Sequence, residues 1–260
     1  MKRLLLLILL GTPLSQASET IYITNGEWEP YLSEYSYEYG LTSHIVSEAF
    51  KLEDIKVVWG FFPWIRAYQL AKEENLWDAS CCWWPREKSR SNFEISPVIS
   101  TTSIVFFHLK SKAFNWTNFS DLKDVKIGGT LEYGYGKGFS QAVDSKEIHL
   151  ELMPTDEQNF KKLLHGRIDI FPNDLIVGQA QIRNSLPPEK ADLITFNPKG
   201  FGLNTLHLIF SNNSKKQKYY VKKFEEGLKK LKLSGAIEDM KNDLKNGKYD
   251  KQKERWKSED

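Results

Sequence analysis

The feature that most constrains the fold of this chain is a regular alternation of short apolar strands with amphipathic helices, which occurs twice. The first series has predicted strands at residues 21–24, 55–61 and 79–83, separated by helices over 40–53 and from Pro63 onward. Strands that alternate with helices at this spacing predict a parallel sheet with crossover helices. We therefore expect an α/β protein.

A second series of the same kind follows an almost continuous apolar strand at residues 104–109, which is typical of a strand buried on both faces. Its predicted elements are strands at 125–128, 150–153, 168–171 and 193–196, and helices near Phe139, over 156–165 and over 175–184. A second apolar strand, 206–210, ends the series, and helices over 216–233 and 235–244 close the chain. Two such series predict two parallel-sheet lobes joined by two crossing hinge strands.

The N-terminus has the three parts of a secretory signal peptide. Lys2 and Arg3 are positive, residues 4–10 are apolar, and a small-x-small cleavage site ends at Ala17. The apolar run is too short to cross a bilayer as a permanent helix. We expect cleavage after Ala17 and a periplasmic mature protein.

The domain organisation predicted from these patterns has four segments. Residues 1–17 form the signal peptide, 19–108 the first segment of lobe 1, 109–204 lobe 2, and 205–260 the return segment of lobe 1 with the C-terminal helices. Loss of the signal peptide removes two basic residues and no acid, so the formal charge of +2 falls to 0. Because acids are interleaved with bases elsewhere, no nucleic-acid partner is expected.

The stretch from Trp77 to Val98 contains both cysteines, three tryptophans and two arginines. It is compatible with a thiol redox centre, a metal site or one wall of a binding cleft. Cys81 and Cys82 are adjacent, so a disulfide between them would be a strained ring that closes no chain loop. The simpler interpretation is two small buried side chains on a strand, with their redox state left open. No spacing typical of a zinc site occurs, and no metal or cofactor is predicted.

Ligands of open α/β sheets bind at the carboxyl ends of the strands, close to helix N-termini. This rule selects the turns at 28–31, 63–66, 83–90, 129–135 and 173–174. Their aromatic members are Trp28, Tyr31, Trp64, Trp83, Trp84, Tyr133 and Tyr135. Such a concentration at one edge predicts an aromatic-lined pocket that stacks on an apolar group or holds a cation.

Polar candidates in the same turns are Arg66, Thr130 and Asp174. Asp174 falls just past a predicted strand, where a carboxylate can pair with a ligand ammonium group or cap the next helix. The glycine-rich turn around Thr130 lacks the spacing of a phosphate-binding loop. It is either a tight turn or a cradle of backbone N–H groups for an anion such as a carboxylate. No nucleophile–histidine spacing indicates a hydrolase, so no catalytic residue is predicted.

Several short motifs occur in a characteristic order along almost the whole mature chain. They are Trp28-x-Pro30-Tyr31, Pro63-Trp64-Ile65-Arg66-Ala67, Phe93-x-Ile95-Ser96, Asp121-Leu122-Lys123, Gly166-Arg167-x-Asp169 and Leu231-x-x-Ser234-Gly235. In this order the chain resembles the extracellular solute-binding proteins of family 3, the periplasmic components of polar amino-acid ABC transporters. The resemblance implies a monomeric two-lobed protein of the type II periplasmic binding fold.

The resemblance also implies roles for particular residues. An arginine shortly before the Phe-x-x-Ser motif would hold the carboxylate of the solute, and Asp174 would hold its amino group. The family's usual arginine position is Ser89 here, so Arg90 is favoured as the clamp, with Arg86 as the alternative. Arginine suits this role because its guanidinium binds a carboxylate bidentately.

The function implied is capture of a small polar solute, an amino acid or related amine, for delivery to an ABC permease in the inner membrane. Two alternatives stay open at this point. One is an enzyme similar to the cyclohexadienyl dehydratases on the same fold, for which Glu132 or Glu29 would be the general acid. The other is a free-standing ligand-sensing module for a receptor. The identity of the ligand does not follow from the sequence.

Overall fold

The computed structural model describes residues 19–73, 76–84, 90–131 and 133–250, without the side chain of Leu203. The predicted signal peptide, residues 1–17, lies outside these ranges. No helix within them is long and apolar enough to cross a membrane.

Ten strands form one curled, mixed sheet. They are β1 (Glu19–Asn25), β2 (Ile55–Phe61), β3 (Ala79–Trp83), β4 (Phe93–Ile95), β5 (Ser100–Leu109), β6 (Ile127–Thr130), β7 (Leu150–Met153), β8 (Ile170–Asp174), β9 (Ile194–Phe196) and β10 (Phe201–Ser211). Their order is β2-β1-β3-β10-β5-β8-β6-β7, with β4 on β10 and β9 on β5. The pairs β1–β2, β1–β3, β6–β7 and β6–β8 are parallel, as the βα alternation predicts.

Eight α-helices connect and cover these strands in the described residues. They are α1 (Leu41–Lys51), α2 (Trp64–Glu73), α3 (Lys137–Asp144), α4 (Asp156–Leu164), α5 (Leu175–Ser185), α6 (Pro188–Ala191), α7 (Gln217–Leu233) and α8 (Ala236–Lys245). Short 3-10 turns at Tyr37–Tyr39 and Phe119–Leu122 complete the secondary structure.

The two long strands β5 and β10 join the two halves of the sheet. Residues 201–206 of β10 pair with β5, whereas residues 207–211 pair with β3 and β4. In β5, residues 100–104 pair with β10, and residues 104–109 pair with β8 and β9. Each strand therefore runs from one half of the sheet into the other, which confirms the predicted pair of crossing hinge strands.

Each half of the sheet has its own apolar core. The first is built around Ile21, Phe50 and Phe224, all without solvent exposure. In the second half, neighbouring residues of β5 point to opposite faces: Phe106 belongs to one buried cluster and Phe107 to another. This double burial explains the almost continuous apolar sequence of β5.

The predicted α/β architecture is confirmed, and several element bounds agree closely. Strands β2, β3 and β7 have the predicted bounds, but β8 begins two residues later than predicted and continues to Asp174. The short strand β4 was not predicted, because three residues give no alternation to detect. The division at residues 108 and 204 stays a prediction; the strand pairings place the crossing itself at 100–104 and 201–206.

The close packing of α7 on α1 depends on Gly227. A Cβ atom at this position would lie 1.9 Å from the carbonyl oxygen of Ala49. We expect Gly227→Ala to lower the free energy of unfolding by about 1–3 kcal/mol, because the backbones must separate. In an exposed helix the same change raises stability by about 1 kcal/mol.

Urea denaturation measures this effect. Lys229→Ala, on an exposed position of the same helix, is the matched control and should leave the midpoint nearly unchanged. A Gly227→Ala protein as stable as the parent would contradict the close contact.

Candidate functional site

The centre of the candidate site is Asp174, where β8 ends and α5 begins. Its Oδ1 accepts hydrogen bonds from the backbone N–H groups of Ile176 (3.0 Å) and Val177 (3.1 Å), so it caps α5. The side chain is buried, with 5% of the residue exposed, and Oδ2 has no hydrogen-bond partner among the described residues. The helix therefore satisfies one oxygen of this carboxylate, while the Tyr31 hydroxyl and the backbone N–H of Ser103 lie near the carboxylate without forming a regular hydrogen bond to Oδ2.

Tyr31 of lobe 1 lies against this carboxylate. Its ring is buried (4% exposed) and packs beside Trp28, with the ring centroids 5.0 Å apart. Burial raises the pKa of the Tyr31 hydroxyl well above its usual value, and the negative charge of Asp174 raises it further. The hydroxyl is close to Asp174 yet outside hydrogen-bond geometry for Oδ2. The two lobes therefore meet at Tyr31 and Asp174.

Burial also sets the proton affinity of Asp174. Removal from water raises the pKa of the carboxyl to about 6, even though the N–H groups of Val177 and Ile176 and the Tyr31 hydroxyl favour the charged form. Within the described residues, no lysine or arginine forms an ion pair with this carboxylate. Near neutral pH Asp174 is therefore a buried negative charge that no lysine or arginine of the described residues balances.

A second buried carboxylate, Asp156, organises the polar part of lobe 2. It is the first residue of α4 and accepts hydrogen bonds from Thr130 Oγ1, Asn173 Nδ2 (3.1 Å), Gln181 Nε2 (3.0 Å) and Tyr133 Oη (3.3 Å). Burial raises its pKa, whereas these four donors favour the ionised form. With four donors Asp156 is satisfied within the protein, so it positions its partners.

The tyrosines of the glycine-rich turn have different environments. Tyr133 is 40% exposed, but its hydroxyl points inward, where burial and the charges of Asp156 and Asp174 raise its pKa. Tyr135 is buried against Phe139, at 5.3 Å between centroids, and its hydroxyl accepts the N–H of Thr130 at 2.6 Å. Tyr133 is thus available to a ligand, whereas Tyr135 fixes the turn from the core side.

The remaining predicted aromatic residues line lobe 1. Trp64 and Trp83 pack edge to face, with centroids 5.4 Å apart, and Trp83 Nε1 donates to Ser80 Oγ at 2.7 Å. Trp64 lies over Gly26, where a Cβ atom would come within 2.5 Å of the indole. Trp84 packs on the lobe 1 core. All three tryptophans are partly buried, as expected for the wall of a cleft.

The predicted arginines are placed differently from the aromatic residues. Arg66, on α2, and Arg90, at the turn before β4, are both exposed. Arg86 lies outside the described residues, as does Glu132. The other proposed acid, Glu29, accepts a hydrogen bond from Asn184 of α5 at 2.9 Å. The structure thus brings Trp28, Tyr31, Tyr133 and Asp174 together, and places the described arginines at the surface.

Sequence analysis missed Asp156 and Gln181, and it selected the turn that contains Asn173 without giving this residue a role. Asp156 follows the predicted strand at 150–153 after two residues, so the rule that selects the ends of strands could have identified it. Gln181 lies two turns into α5, and no sequence pattern marks it.

The far end of α5 also contacts lobe 1. Arg183 forms an ion pair with Asp250, with 3.0 Å between Nη2 and Oδ1, and Asn184 bonds to Glu29. The segment that carries Asp250 is anchored by Tyr249, which is fully buried. The Oη atom of Tyr249 lies 2.7 Å from His44 Nδ1, within hydrogen-bond distance. Helix α5 therefore touches lobe 1 at both of its ends.

Comparison with known proteins identifies the fold. No family model and no curated protein match the chain in sequence. Among solved structures, an amino acid ABC transporter substrate-binding protein from Streptococcus pneumoniae, bound to L-arginine, is similar with a TM-score of 0.68. It is 14% identical, and the match covers 89% of this chain and 97% of that protein.

Two further solved structures show the same similarity. An ancestral arginine-binding protein bound to arginine has a TM-score of 0.68 at 14% identity, covering 86% of this chain and 97% of that one. A histidine kinase sensor domain with similarity to periplasmic binding proteins has a TM-score of 0.67 at 14% identity, and the match covers 87% of this chain and 96% of that domain. The chain therefore has the two-lobed type II periplasmic binding fold, and the resemblance predicted from sequence is confirmed for the fold.

The raised pKa of Asp174 predicts a pH-dependent effect of Asp174→Asn. The pKa of Asp174 in the folded protein (about 6) exceeds the usual value of 3.8. The contribution of this group to the free energy of unfolding is therefore fully present below pH 3.8, where the carboxyl is protonated, and is lost as the pH rises through 6. Asparagine is an equally good helix cap but carries no charge. The variant should therefore be more stable than the parent at pH 7.5, by roughly 1–3 kcal/mol, and equal to it near pH 3.5.

Urea denaturation of the parent and of Asp174→Asn between pH 3.5 and 8 measures the difference in their free energies of unfolding. The contributions of all other titrating groups are the same in both proteins and cancel in this difference. A difference that does not change with pH would contradict the buried, unpaired carboxylate.

Proposed function

We propose that this protein is an exported solute-binding protein that captures a small solute with a positively charged amino group, of the amino-acid class, between its lobes. The observation that carries this proposal is the buried Oδ2 of Asp174, which has no partner among the described residues and lies beside Tyr31. A ligand ammonium group would donate to this oxygen and supply the missing positive charge.

The energetics favour a cationic ligand at this position. A buried carboxylate without a partner costs several kcal/mol, and a hydrogen-bonded cation removes most of that cost. Trp28, Tyr31 and Trp64 add aromatic faces, which attract a cation or stack on a planar group such as a guanidinium. Tyr133 closes the site from lobe 2, since its hydroxyl faces both buried carboxylates.

The carboxylate end of such a solute would meet an arginine of the segment between β3 and β4. Arg90 is the favoured residue, by resemblance, and it is exposed at the turn before β4. Closure of lobe 2 against lobe 1 would then enclose both ends of the solute. Delivery to an ABC permease belongs to this proposal, as does export through the signal peptide.

A ligand-sensing role is the second candidate, and the similarity to a histidine kinase sensor domain favours it. Both roles use the same ligand site and differ in the membrane partner. Neighbouring genes for a permease or for a sensor kinase would distinguish them.

Isothermal titration with a set of related probes tests the ligand site. L-arginine is a suitable probe because two structural neighbours bind it. Nα-acetyl-L-arginine lacks the ammonium group, and agmatine lacks the carboxylate. We expect L-arginine to bind, and loss of either group to weaken binding by about tenfold or more, since each charged contact is worth about 1.5–3 kcal/mol.

Variants of the protein assign these contacts to residues. Asp174→Asn should bind L-arginine no more tightly than its Nα-acetyl derivative. Arg90→Ala should bind L-arginine no more tightly than agmatine. Asp169→Asn is the matched control, because Asp169 pairs with Lys112 on the surface of lobe 2 and should leave affinity unchanged. If Asp174→Asn still prefers L-arginine over its Nα-acetyl derivative, the ammonium site is overturned. If Arg90→Ala still prefers L-arginine over agmatine, the clamp moves to Arg86.

Contacts at the far end of α5 predict an effect on lobe closure. Arg183→Ala removes the ion pair with Asp250, which is partly exposed and therefore contributes about 0.2–1 kcal/mol. The apo protein should become more open in small-angle X-ray scattering, and affinity for a ligand held between the lobes should fall up to about fivefold.

The charge-swapped pair Arg183→Asp with Asp250→Arg is the control and should restore the scattering profile of the parent. Equal profiles for parent and Arg183→Ala would show that this ion pair does not help to hold the lobes together.

A further inference from the structure

The two adjacent cysteines lie on a β-bulge of β3. His207 of β10 pairs with Trp83, and Ile209 pairs with Ser80. An advance of two residues along β10 therefore corresponds to an advance of three residues along β3, which contains one extra residue. The extra residue falls at Cys81–Cys82, and Cys82 has a φ of +64°, which is uncommon for a residue other than glycine. The bulge directs both side chains into the protein.

This geometry brings the two thiols together. Their sulfur atoms are 3.1 Å apart, and Cys81 is 0% and Cys82 6% exposed. In a regular strand, neighbouring side chains point to opposite faces of the sheet, so adjacent cysteines would be kept apart. A dithiol arrangement therefore requires the bulge, and the sequence alone does not reveal it.

The dithiol lies in the same apolar core as Tyr31 of the candidate ligand site. Tyr31 in turn lies close to Asp174. Tyr31, Cys81 and Cys82 belong to one buried cluster. Trp83 follows the bulge and packs against Trp64, so a change in the backbone at Cys82 is expected to reach both Tyr31 and Trp83.

We propose that Cys81 and Cys82 are an oxidation-sensitive pair that closes reversibly to a disulfide and thereby weakens ligand binding. The oxidant is a low-molecular-weight disulfide such as glutathione disulfide. One thiolate attacks it, forming a mixed disulfide and releasing one glutathione thiol; the second thiol then displaces the other glutathione. Two cysteine thiols and one glutathione disulfide thus become one protein disulfide and two glutathione thiols.

The product is a strained disulfide. The Cα atoms of adjacent residues are about 3.8 Å apart, below the range of about 4.4–6.8 Å found in ordinary disulfides. Strain raises the reduction potential, so the bond is easily reduced again, as in regulatory disulfides. Because the ring must twist the peptide at Cys82, oxidation shifts Tyr31 and Trp83 from their positions in the cleft.

Access to the pair depends on the state of the lobes. Both sulfur atoms are buried when Tyr31 packs against Asp174, and burial raises the pKa of the Cys81 thiol. An attacking disulfide can reach these buried sulfur atoms only after the packing around them opens, and separation of the lobes is the opening that this proposal assumes. A ligand that holds the lobes closed therefore slows the oxidation.

The first experiment needs no ligand. The protein is equilibrated in glutathione buffers of increasing disulfide content, quenched with acid, alkylated and measured by intact mass. We expect loss of two hydrogens and of both alkylation sites, localised to the tryptic peptide 73–86 that contains both cysteines, and full reversal by reduced glutathione. Cys81→Ser and Cys82→Ser should gain one glutathione at most. If a serine variant does not fold, the peptide map of the parent decides alone.

A dithiol that persists at every buffer composition, or a stable glutathione adduct on the parent, would overturn the proposal. These outcomes do not depend on the proposed function. Only the predicted effect of oxidation on ligand binding rests on the proposed function. L-arginine is the probe in the experiment that measures this effect.

The second experiment compares reduced and oxidised protein by titration with L-arginine. Oxidation should weaken binding by about tenfold, equivalent to about 1.4 kcal/mol, and saturating L-arginine should slow oxidation of the parent. Cys82→Ser is the control: after the same oxidant treatment, its glutathione-free fraction should have the affinity that Cys82→Ser had before the treatment. Equal affinity of the reduced and oxidised parent would overturn the coupling, whereas absence of L-arginine binding in both forms would count against the proposed ligand.

Discussion

The carboxylate of Asp174 is the constraint on which the rest of the site depends. Helix α5 holds one oxygen through two backbone N–H groups, and the other oxygen stays unpaired in a region closed by Tyr31. Under the proposed function, a donor that carries positive charge would pair with this oxygen and lower the cost of burying the ionised carboxylate. Ligand binding, rather than packing, would then be the main stabiliser of the interface between the lobes.

The direct contacts between the lobes are weak by comparison. Arg183–Asp250 is a partly exposed ion pair, worth about 0.2–1 kcal/mol, and Glu29–Asn184 is one hydrogen bond, worth about 0.5–1.5 kcal/mol. Compensation of a buried charge involves several kcal/mol. Under the proposed function, a ligand at Asp174 would therefore change the balance between open and closed forms, whereas the contacts at the far end of α5 would only adjust it. Among the strands of the described residues, β5 and β10 alone continue through both halves of the sheet, so they would be the hinge for this motion.

Sequence analysis could predict what depends on local patterns. The bounds of β2 and β3 follow from alternation of apolar residues, and Asp174 was identified because it follows an apolar strand and precedes a helix. Asp156 was missed because its four donors come from separate parts of the chain, and their convergence is a property of the tertiary structure. The adjacent cysteines were interpreted as ordinary strand residues, since no local pattern reveals the positive φ of Cys82 or the register shift against β10.

Tyr31 connects the two unusual features of this cleft. Its hydroxyl lies close to a carboxylate whose charge a cation would balance, and its ring belongs to the same core as a dithiol whose bonding an oxidant would change. Because protein cores are closely packed, a backbone change at Cys82 would be transmitted to the Tyr31 ring. Under this proposal, a shift imposed at Cys82 changes the distance between Tyr31 and Asp174, and a ligand that fixes this distance resists the shift. By this reciprocity, any ligand that binds the reduced form more tightly also makes the disulfide harder to form, by the same factor.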